Sequence, residues 1–565
     1  MRTELNDDRE AMAWSDVDWA AAEATVRRLQ DRIFRAARAG DGARVKSLQN
    51  LLARSRSAKL LAIRQVTQQN DGRETPGIDG VVCRTPADRA KLLQDGLSLK
   101  GYRPKPVRRV HIPKPGKPGR FRPLGIPTVK DRVMQAIVKM ALEPEWETRF
   151  EANSYGFRPG RCTMDAIEAI FNALCKRGSN RWVLDADISG CFDKIAHLPL
   201  LSKLPTFTKT IERWLKTGSV EMATFRESEA GTPQGGIISP LLANIALDGM
   251  ERLFGCDGAD GRSVQPALKK GDDRGLVLIR YADDFVVIAP SRETLERYVL
   301  PKIQAFLGDR GLELNREKTR IVSIDEGFSF LGFGIRKFRD GKLLVMPEKA
   351  KVLAHLGRVK AYLDRNKQAP ASKVVRDLAP VIRGWTAYYR HACSARTFQY
   401  ADCRVWRMLW SWARRRHRGK GTGWVKARYF RATRTRDWNF TDATRPGAIL
   451  LPRYSDTKIS RHTKVRGRLS PLDPETRDYW ARRRADRLEA AIYSKRRREL
   501  LRLQGYACAE CGIAFDPDAD PWLMDEHHAR PRHLGGGNGT ENLRLVHRWC
   551  HHRHHQRCGY KAAEA

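Results

Sequence analysis

Apolar and polar positions change their period along this 565-residue chain, and the changes divide it. In residues 1–65, Val26, Leu29, Ile33 and Ala36, then Val45, Leu48, Leu51 and Leu52, recur at helical spacing. Gly40 and Gly42 interrupt the run as a helix–turn–helix connection does, so 1–65 is read as a helical extension. Over 66–345, helical and strand patterns alternate with loops rich in Gly and Pro, which predicts a mixed α/β core. Over 346–430 the pattern returns to helix, dense in aromatic and basic residues. Residues 431–495 read as an irregular, basic, Pro-containing linker suited to nucleic acid, and 496–565 as a small His- and Cys-rich module. No internal repeat or low-complexity tract interrupts this order.

Two strand patterns in the α/β part carry acids. "LVLIRYADDFVVIAP" (276–290) sets two apolar, β-branched runs around Asp283 and Asp284. Carboxylates beside buried strands are costly unless paired or bound to metal. "RWVLDADISGCFDKI" (181–195) is a second acidic strand, whose alternation puts Val183, Asp185 and Asp187 on one face. If the two lie side by side, up to three carboxylates converge, a hard oxygen set suited to Mg²⁺. Two such ions roughly 4 Å apart activate an attacking hydroxyl and stabilise a leaving phosphate oxygen. Either stretch alone also fits an acidic turn in solvent.

The His/Cys module holds a second chemistry. Cys508 and Cys511 form C-x-x-C, and His547 and Cys550 form H-x-x-C. Two such pairs suit a tetrahedral structural Zn²⁺, and the distant second pair argues against a redox dithiol. Composition then selects the partner. With 105 Lys and Arg against 65 Asp and Glu, the net charge of +40 points to a polyanion, most commonly nucleic acid. No apolar run reaches the length of a membrane span, and the polar, acidic N-terminus does not read as a signal peptide. The other cysteines are mostly scattered singly, as in a reducing compartment.

"YADD" between apolar strands, preceded by "DISGCFDKI", closely resembles the active-site motifs of reverse transcriptases. "NDGRETPGIDGV", "VRRVHIPKPGKPGRFRPLGIPTVKDRVMQ", "NSYGFRPGR", "GTPQGGIISPLLANIALD", "LELNREKTRIV" and "FSFLGF" resemble, in order, one branch of them. That branch is the reverse transcriptase–maturases encoded by group II introns. "IRGWTAYY" resembles their maturase domain, and "EHHARPRHLGG" with "ENLRLVHRWCHH" resembles the His–Asn–His (HNH) nucleases.

The resemblance implies an α+β multidomain protein: right-hand-like fingers and palm over 66–345, and a helical thumb and maturase domain over 346–430. A basic DNA-binding linker over 431–495 then leads to a zinc-containing ββα-metal HNH module over 496–565. It implies that Asp187, Asp283 and Asp284 bind Mg²⁺, and that Phe192 lies under the sugar of the incoming dNTP; on sequence alone, a core aromatic fits that position as well. Lys117, Arg120 and Arg122 would meet the triphosphate, the alternative being a solvated basic loop. Gln234 lies in the "PQGG" loop that approaches nucleotide and template, where a plain tight turn is the other reading. Lys318 would lie near the leaving pyrophosphate. Asp185 and Asp193 are taken as structural, and Ser189 stands where the family usually has Lys.

Arg383, Trp385, Arg414 and Arg416 are candidate RNA contacts, although Trp385, Tyr388, Trp406 and Trp410 also read as a thumb core. In the nuclease, His527 and His551 would bind a divalent ion, with His555 a third ligand and His552 or His554 as substitutes. His528 would be the general base and Asn542 would hold its loop. The family usually shows Asp–His where this chain has His527–His528. The expected activities are RNA-directed DNA polymerisation, assistance to intron splicing and nicking of target DNA. The expected partners are intron RNA, target DNA and dNTPs, with no membrane, in a bacterial cytoplasm or nucleoid. The rival readings are an intron-free reverse transcriptase and a splicing factor with a degenerate polymerase.

Overall fold

The computed structural model describes all residues except 1–13, 114–118, 120, 176–180, 222–223, 228–229, 233–234, 256–274, 445–446, 492–493, 518–523 and 559–565. Lys117, Arg120 and Gln234 therefore lie outside the described residues. The N-terminal periodicity produces helices Trp19–Arg38, Gly42–Arg54 and Arg56–Arg64. Asp18 and Asp41 cap the first two by accepting from the backbone N–H of Ala21 and Arg44. Val26, Leu29, Ile33, Ala36, Val45, Leu48 and Leu52 are buried, but Leu51 is exposed because it sits off the stripe that faces the 21-residue helix Val129–Arg149.

A four-stranded antiparallel sheet stands at the centre in the order Val277–Tyr281, Asp284–Ala289, Trp182–Asp187, Arg320–Ser323. Its two faces belong to different cores. Leu184, Ala186, Leu278, Phe285 and Val287 join a core shared with the N-terminal helices, whereas Val183, Ile279, Val286 and Ile288 join one shared with the helices after residue 349. Burial on both faces explains why these strands read as near-continuous apolar runs. A second sheet, Phe121–Ile126, Val107–Pro113, Ser219–Glu221 and Thr224–Arg226, projects from this core.

Helices Lys349–Arg365, Ala371–Tyr389, Ala395–Arg416 and Thr422–Tyr429 follow, the last leading into the hairpin Phe430–Thr433/Arg436–Phe440. The hairpin covers the stacked pair Trp406–Trp410 with Trp438, whose ring lies 5.5 and 5.3 Å from theirs. The segment expected to be irregular thus contains this hairpin and the helix Arg477–Ala491. It is also firmly docked. Buried Asp165 accepts from His462 Nε2 (2.9 Å), Val465 N (2.8 Å) and Arg483 Nη2 (2.7 Å), and Arg38 pairs with Asp473 at 3.2 Å. The last described elements are strands Met524–His528 and Leu543–His547, paired antiparallel, and helix Arg548–Arg557, a ββα unit. Among the described residues no helix is long and apolar enough to cross a membrane.

Candidate active sites

The register of the central sheet sets Asp187 directly opposite Asp284, while Asp283 occupies the turn between the two strands. The sharp turn is held from behind. Ala282 adopts φ +59°, and Arg280, 1% exposed, donates from Nη1 to the Ala282 carbonyl (3.1 Å) and Asn244 Oδ1 (3.0 Å) and from Nη2 to Ser154 Oγ (2.7 Å). Gly156 of "NSYGF" passes so close that a Cβ there would lie 2.3 Å from the Ala282 nitrogen, which only glycine permits. Arg280 was not among the expected site residues. Its signal was a lone cation in a run destined for burial, which must find acceptors or disrupt the strand.

Burial and neighbouring carboxylates disfavour the charges of Asp283 and Asp284. Burial, then the charges of Asp283 and Asp187, pushes Asp284 up to about 7. Burial and Asp187 also raise Asp283, while Arg122, exposed on its strand, and Lys318 oppose the shift. Lys318 Nζ lies 2.5 Å from Asp187 Oδ2, and Asn315 Nδ2 lies 3.3 Å from the same oxygen. Crowded, half-buried acids partly relieved by a lysine are a donor set with the chemistry a divalent cation needs. Among the described residues, three groups have ligand atoms all within 4.8 Å: Cys508/Cys511/His547/Cys550, His527/His551/His555, and Cys162/Asp165/His462. The aspartate trio is not one of them. Asp185 instead pairs with Arg320 at 3.2 Å.

Phe192 follows Gly190 (φ +58°) in the short helix Cys191–Lys194 and is half-buried, its ring 6.2 Å from that of Phe157. Its carbonyl accepts from Thr232 N at 2.6 Å, which fastens the "GTPQGG" loop to it. Gly235 of that loop, at φ +119°, abuts the Gly125 carbonyl, where a Cβ would lie 2.6 Å away. The glycine thus serves a backbone approach between the loop and the second sheet.

Two of the expected RNA contacts also make packing contacts. Trp385, partly exposed, lies against His355 and Tyr389, both at 4.7 Å, and Tyr454 and Phe398 at 5.6 and 5.8 Å. Arg416 donates to the carbonyls of Lys367 (2.7 Å) and Ala369 (2.8 Å) and lies over Trp412, so it ties helices together. Arg414 is exposed and Arg383 partly so; Arg404, Arg407, Arg415 and Arg418 line a nearby groove that the sequence reading did not single out.

In the ββα unit, strand alternation points adjacent His527 and His528 to opposite faces. His527 meets His551 and His555 of the helix, and burial and the neighbouring imidazoles hold it down to about 4, hence neutral and fit to ligate. His554 also approaches it, with ring centroids 4.4 Å apart. His551 Nδ1 lies 3.2 Å from Asp525 Oδ2, and His528 Nε2 lies 2.9 Å from Asn538 Oδ1; neither partner was anticipated. Asn542 clasps the intervening loop through Arg530 N (2.7 Å), Arg530 O (3.0 Å) and Gly537 O (2.8 Å). The four Cys/His groups of the other cluster are all buried, with His547 Nδ1 at 3.4 Å from Cys511 Sγ.

Comparison with known proteins agrees along the chain. Residues 112–335 match the family of reverse transcriptases (RNA-dependent DNA polymerases), and 14–95 match the N-terminal domain of reverse transcriptase. Residues 352–430 match the group II intron maturase-specific domain and 508–557 the HNH endonucleases. The chain is 33% identical to protein YkfC of Escherichia coli over 325 residues, 51% of this chain and 85% of YkfC. It is 30% identical to the group II intron-encoded protein LtrA of Lactococcus lactis over 328 residues, 48% of this chain and about half (54%) of LtrA. It is 26% identical to maturase-like protein 1 of Euglena gracilis over 383 residues, 66% of this chain and 77% of that protein. With the paired acidic strands, the maturase-specific helices and the ββα unit in this order, the chain belongs to the group II intron-encoded reverse transcriptases that carry a C-terminal HNH endonuclease domain.

Proposed function

We propose that the protein copies RNA into DNA, assists the splicing of its own intron RNA, and nicks target DNA to supply the primer for reverse transcription. The observation that carries this reading is the meeting of Asp187, Asp283 and Asp284 at one end of the central sheet, two of them raised by burial and by their neighbours' charge. Mg²⁺ held by these three acids would supply charge neutralisation and activation of the primer hydroxyl. Arg280 and Gly156 keep the turn in place so that the acids are positioned before substrate arrives. Lys318, which donates to Asp187, would turn its ammonium toward the triphosphate. Arg122, with Lys117 and Arg120 from the same "GKPGRFR" stretch, would bind that triphosphate, and Gln234 would lie by the template. Phe192, whose carbonyl accepts from Thr232 N, would exclude a 2′-hydroxyl.

At the C-terminus, Cys508, Cys511, His547 and Cys550 would hold a structural Zn²⁺, and His527, His551 and His555 the divalent ion of the nuclease. His528, oriented by Asn538, would take the proton of the attacking water. Asp525 would orient His551, as ligating histidines require. Arg383 and Arg414, with the arginines of the adjacent groove, would contact intron RNA. Primer extension on a poly(rA) template with Mg²⁺ tests the polymerase. Asp283→Ala should lower the rate about a thousandfold, the scale of losing transition-state charge stabilisation. Wild-type activity no greater than that of the variant would refute the reading.

A further inference from the structure

Arg64 ends the helix Arg56–Arg64 of the N-terminal region, yet its guanidinium reaches the C-terminal module. Nη2 lies 3.6 Å from Cys550 Sγ and 3.8 Å from Cys511 Sγ. The cation is sandwiched between the rings of Trp19, 4.6 Å away, and Trp549, 5.5 Å away. Trp549 in turn stacks on His547 at 4.5 Å with an interplanar angle of 12°. Arg64 is only 2% exposed, forms no ion pair with a carboxylate among the described residues, and has no acceptor for Nη1. Glu23 forms no ion pair with it among the described residues, although Arg64 is the largest charge acting on that carboxyl. A buried guanidinium without a carboxylate is expensive unless some other negative group balances it.

The cysteine cluster is the group in contact. Three thiolates and a neutral imidazole around a divalent zinc carry one net negative charge. The cysteine knuckle packs directly on the N-terminal region: a Cβ on Gly512 would lie 3.8 Å from Ala20 Cβ, and one apolar core runs from Trp14 and Trp19 to Cys508, Cys511, Phe515 and Cys550. Between them lies a cavity of about 210 Å³, lined by Arg64, Arg89, Arg548, Trp549 and Cys550 among others.

We infer that Arg64 is a positioning residue for the Cys508/Cys511/His547/Cys550 centre, so that zinc occupancy and the docking of the nuclease module on the N-terminal helices form one coupled equilibrium. Zinc fixes the two sulfurs to which the docked Arg64 donates, and by linkage the docked Arg64 strengthens zinc binding by the same factor. The zinc centre is then a clasp between the two ends of the chain as well as a staple within the nuclease. The inference rests on the zinc assignment proposed above.

The test uses the full-length protein. Zinc content is measured first, then the rate of zinc loss to a chelator, then hydrogen exchange of helices Trp19–Arg38 and Arg56–Arg64 with and without zinc. In the wild type, zinc removal should raise exchange in both helices at least tenfold. Arg64→Met should lose zinc about 10- to 100-fold faster, the usual scale for an outer-sphere ligand partner, and its helix exchange should no longer respond to zinc. Arg64→Lys, which keeps the charge and a donor, should restore most of the coupling, which a purely steric role would not predict. A zinc-loaded chain whose helices ignore zinc removal, or an Arg64→Met variant that loses zinc within twofold of the wild-type rate, would overturn the coupling alone. A full-length protein that takes up no zinc would overturn both the coupling and the zinc assignment.

Discussion

Asp165 offers a sharp test of how the segment after the thumb is held. Its side chain is fully buried; Oδ1 receives His462, Val465 N and Arg483, and Oδ2 receives Cys162 N at 2.9 Å. Burial alone would raise its pKa, but the His462 hydrogen bond, the charges of Arg483 and His462 and the Val465 N–H overcome this and hold the carboxyl well below its usual range. Asp165→Asn keeps the volume, removes the charge, and turns an NH₂ group toward a backbone donor or a guanidinium. Arg483, 9% exposed, is left without its counter-ion. Breaking a buried pair from one side costs about 3–5 kcal/mol. At about 1.4 kcal/mol per tenfold, that is roughly two to three and a half orders of magnitude in local opening. Hydrogen exchange over 462–483 at neutral pH should show that loss of protection, with exchange in the central sheet unchanged. Because the folded pKa is depressed, the stabilisation is complete above the unfolded value of about 4 and is lost as pH falls through the folded one. The carboxylate's own contribution should therefore be complete at neutral pH and be lost only in strong acid. A loss of protection below threefold at pH 7 would refute the hub.

Four further outcomes follow from the geometry. Arg280→Met should destabilise the central domain by about 3–5 kcal/mol in urea unfolding, and primer extension by the fraction still folded should fall as the Ala282 turn loosens; unchanged kcat would argue against the positioning role. Phe192→Ala should raise incorporation of ribonucleotides relative to dNTPs in single-nucleotide extension, while Phe192→Tyr should not. His528→Ala should abolish second-strand nicking and leave primer extension intact, and Asn538→Ala should lower nicking in the same direction by about ten- to a hundredfold; retained nicking by His528→Ala would place the base elsewhere. Trp385→Ala should cost about 3–5 kcal/mol of stability, measured by thermal unfolding, with intron RNA affinity of the folded fraction changed less than that of Arg414→Ala.

The chemistry-bearing motifs were legible because they are local. Asp283 and Asp284 declare themselves by interrupting apolar runs, Asp187 by strand alternation, and the Cys and His pairs by their short C-x-x-C and H-x-x-C spacing. The N-terminal helices were equally plain, since a 3.6-residue apolar stripe needs no partner to be seen; only Leu51 misled, because two adjacent leucines cannot both face one neighbour. Less visible were the residues whose work depends on a distant acceptor. Trp385 and Arg416 are examples, since basic and aromatic side chains serve both surfaces and cores, and their packing partners are visible only in the fold.

The sequence by itself therefore determined what this protein can do: its strand and helix patterns, its acids, its ligand pairs and its charge are properties of short windows and of composition. Only the tertiary structure decided how the parts are held to one another. Arg280 behind the Asp283–Asp284 turn, Asp165 beneath the 462–483 segment and Arg64 against the cysteine cluster each meet groups more than a hundred residues away. Burial forces such partners to exist, but their identity is fixed by three-dimensional packing, which no periodicity records.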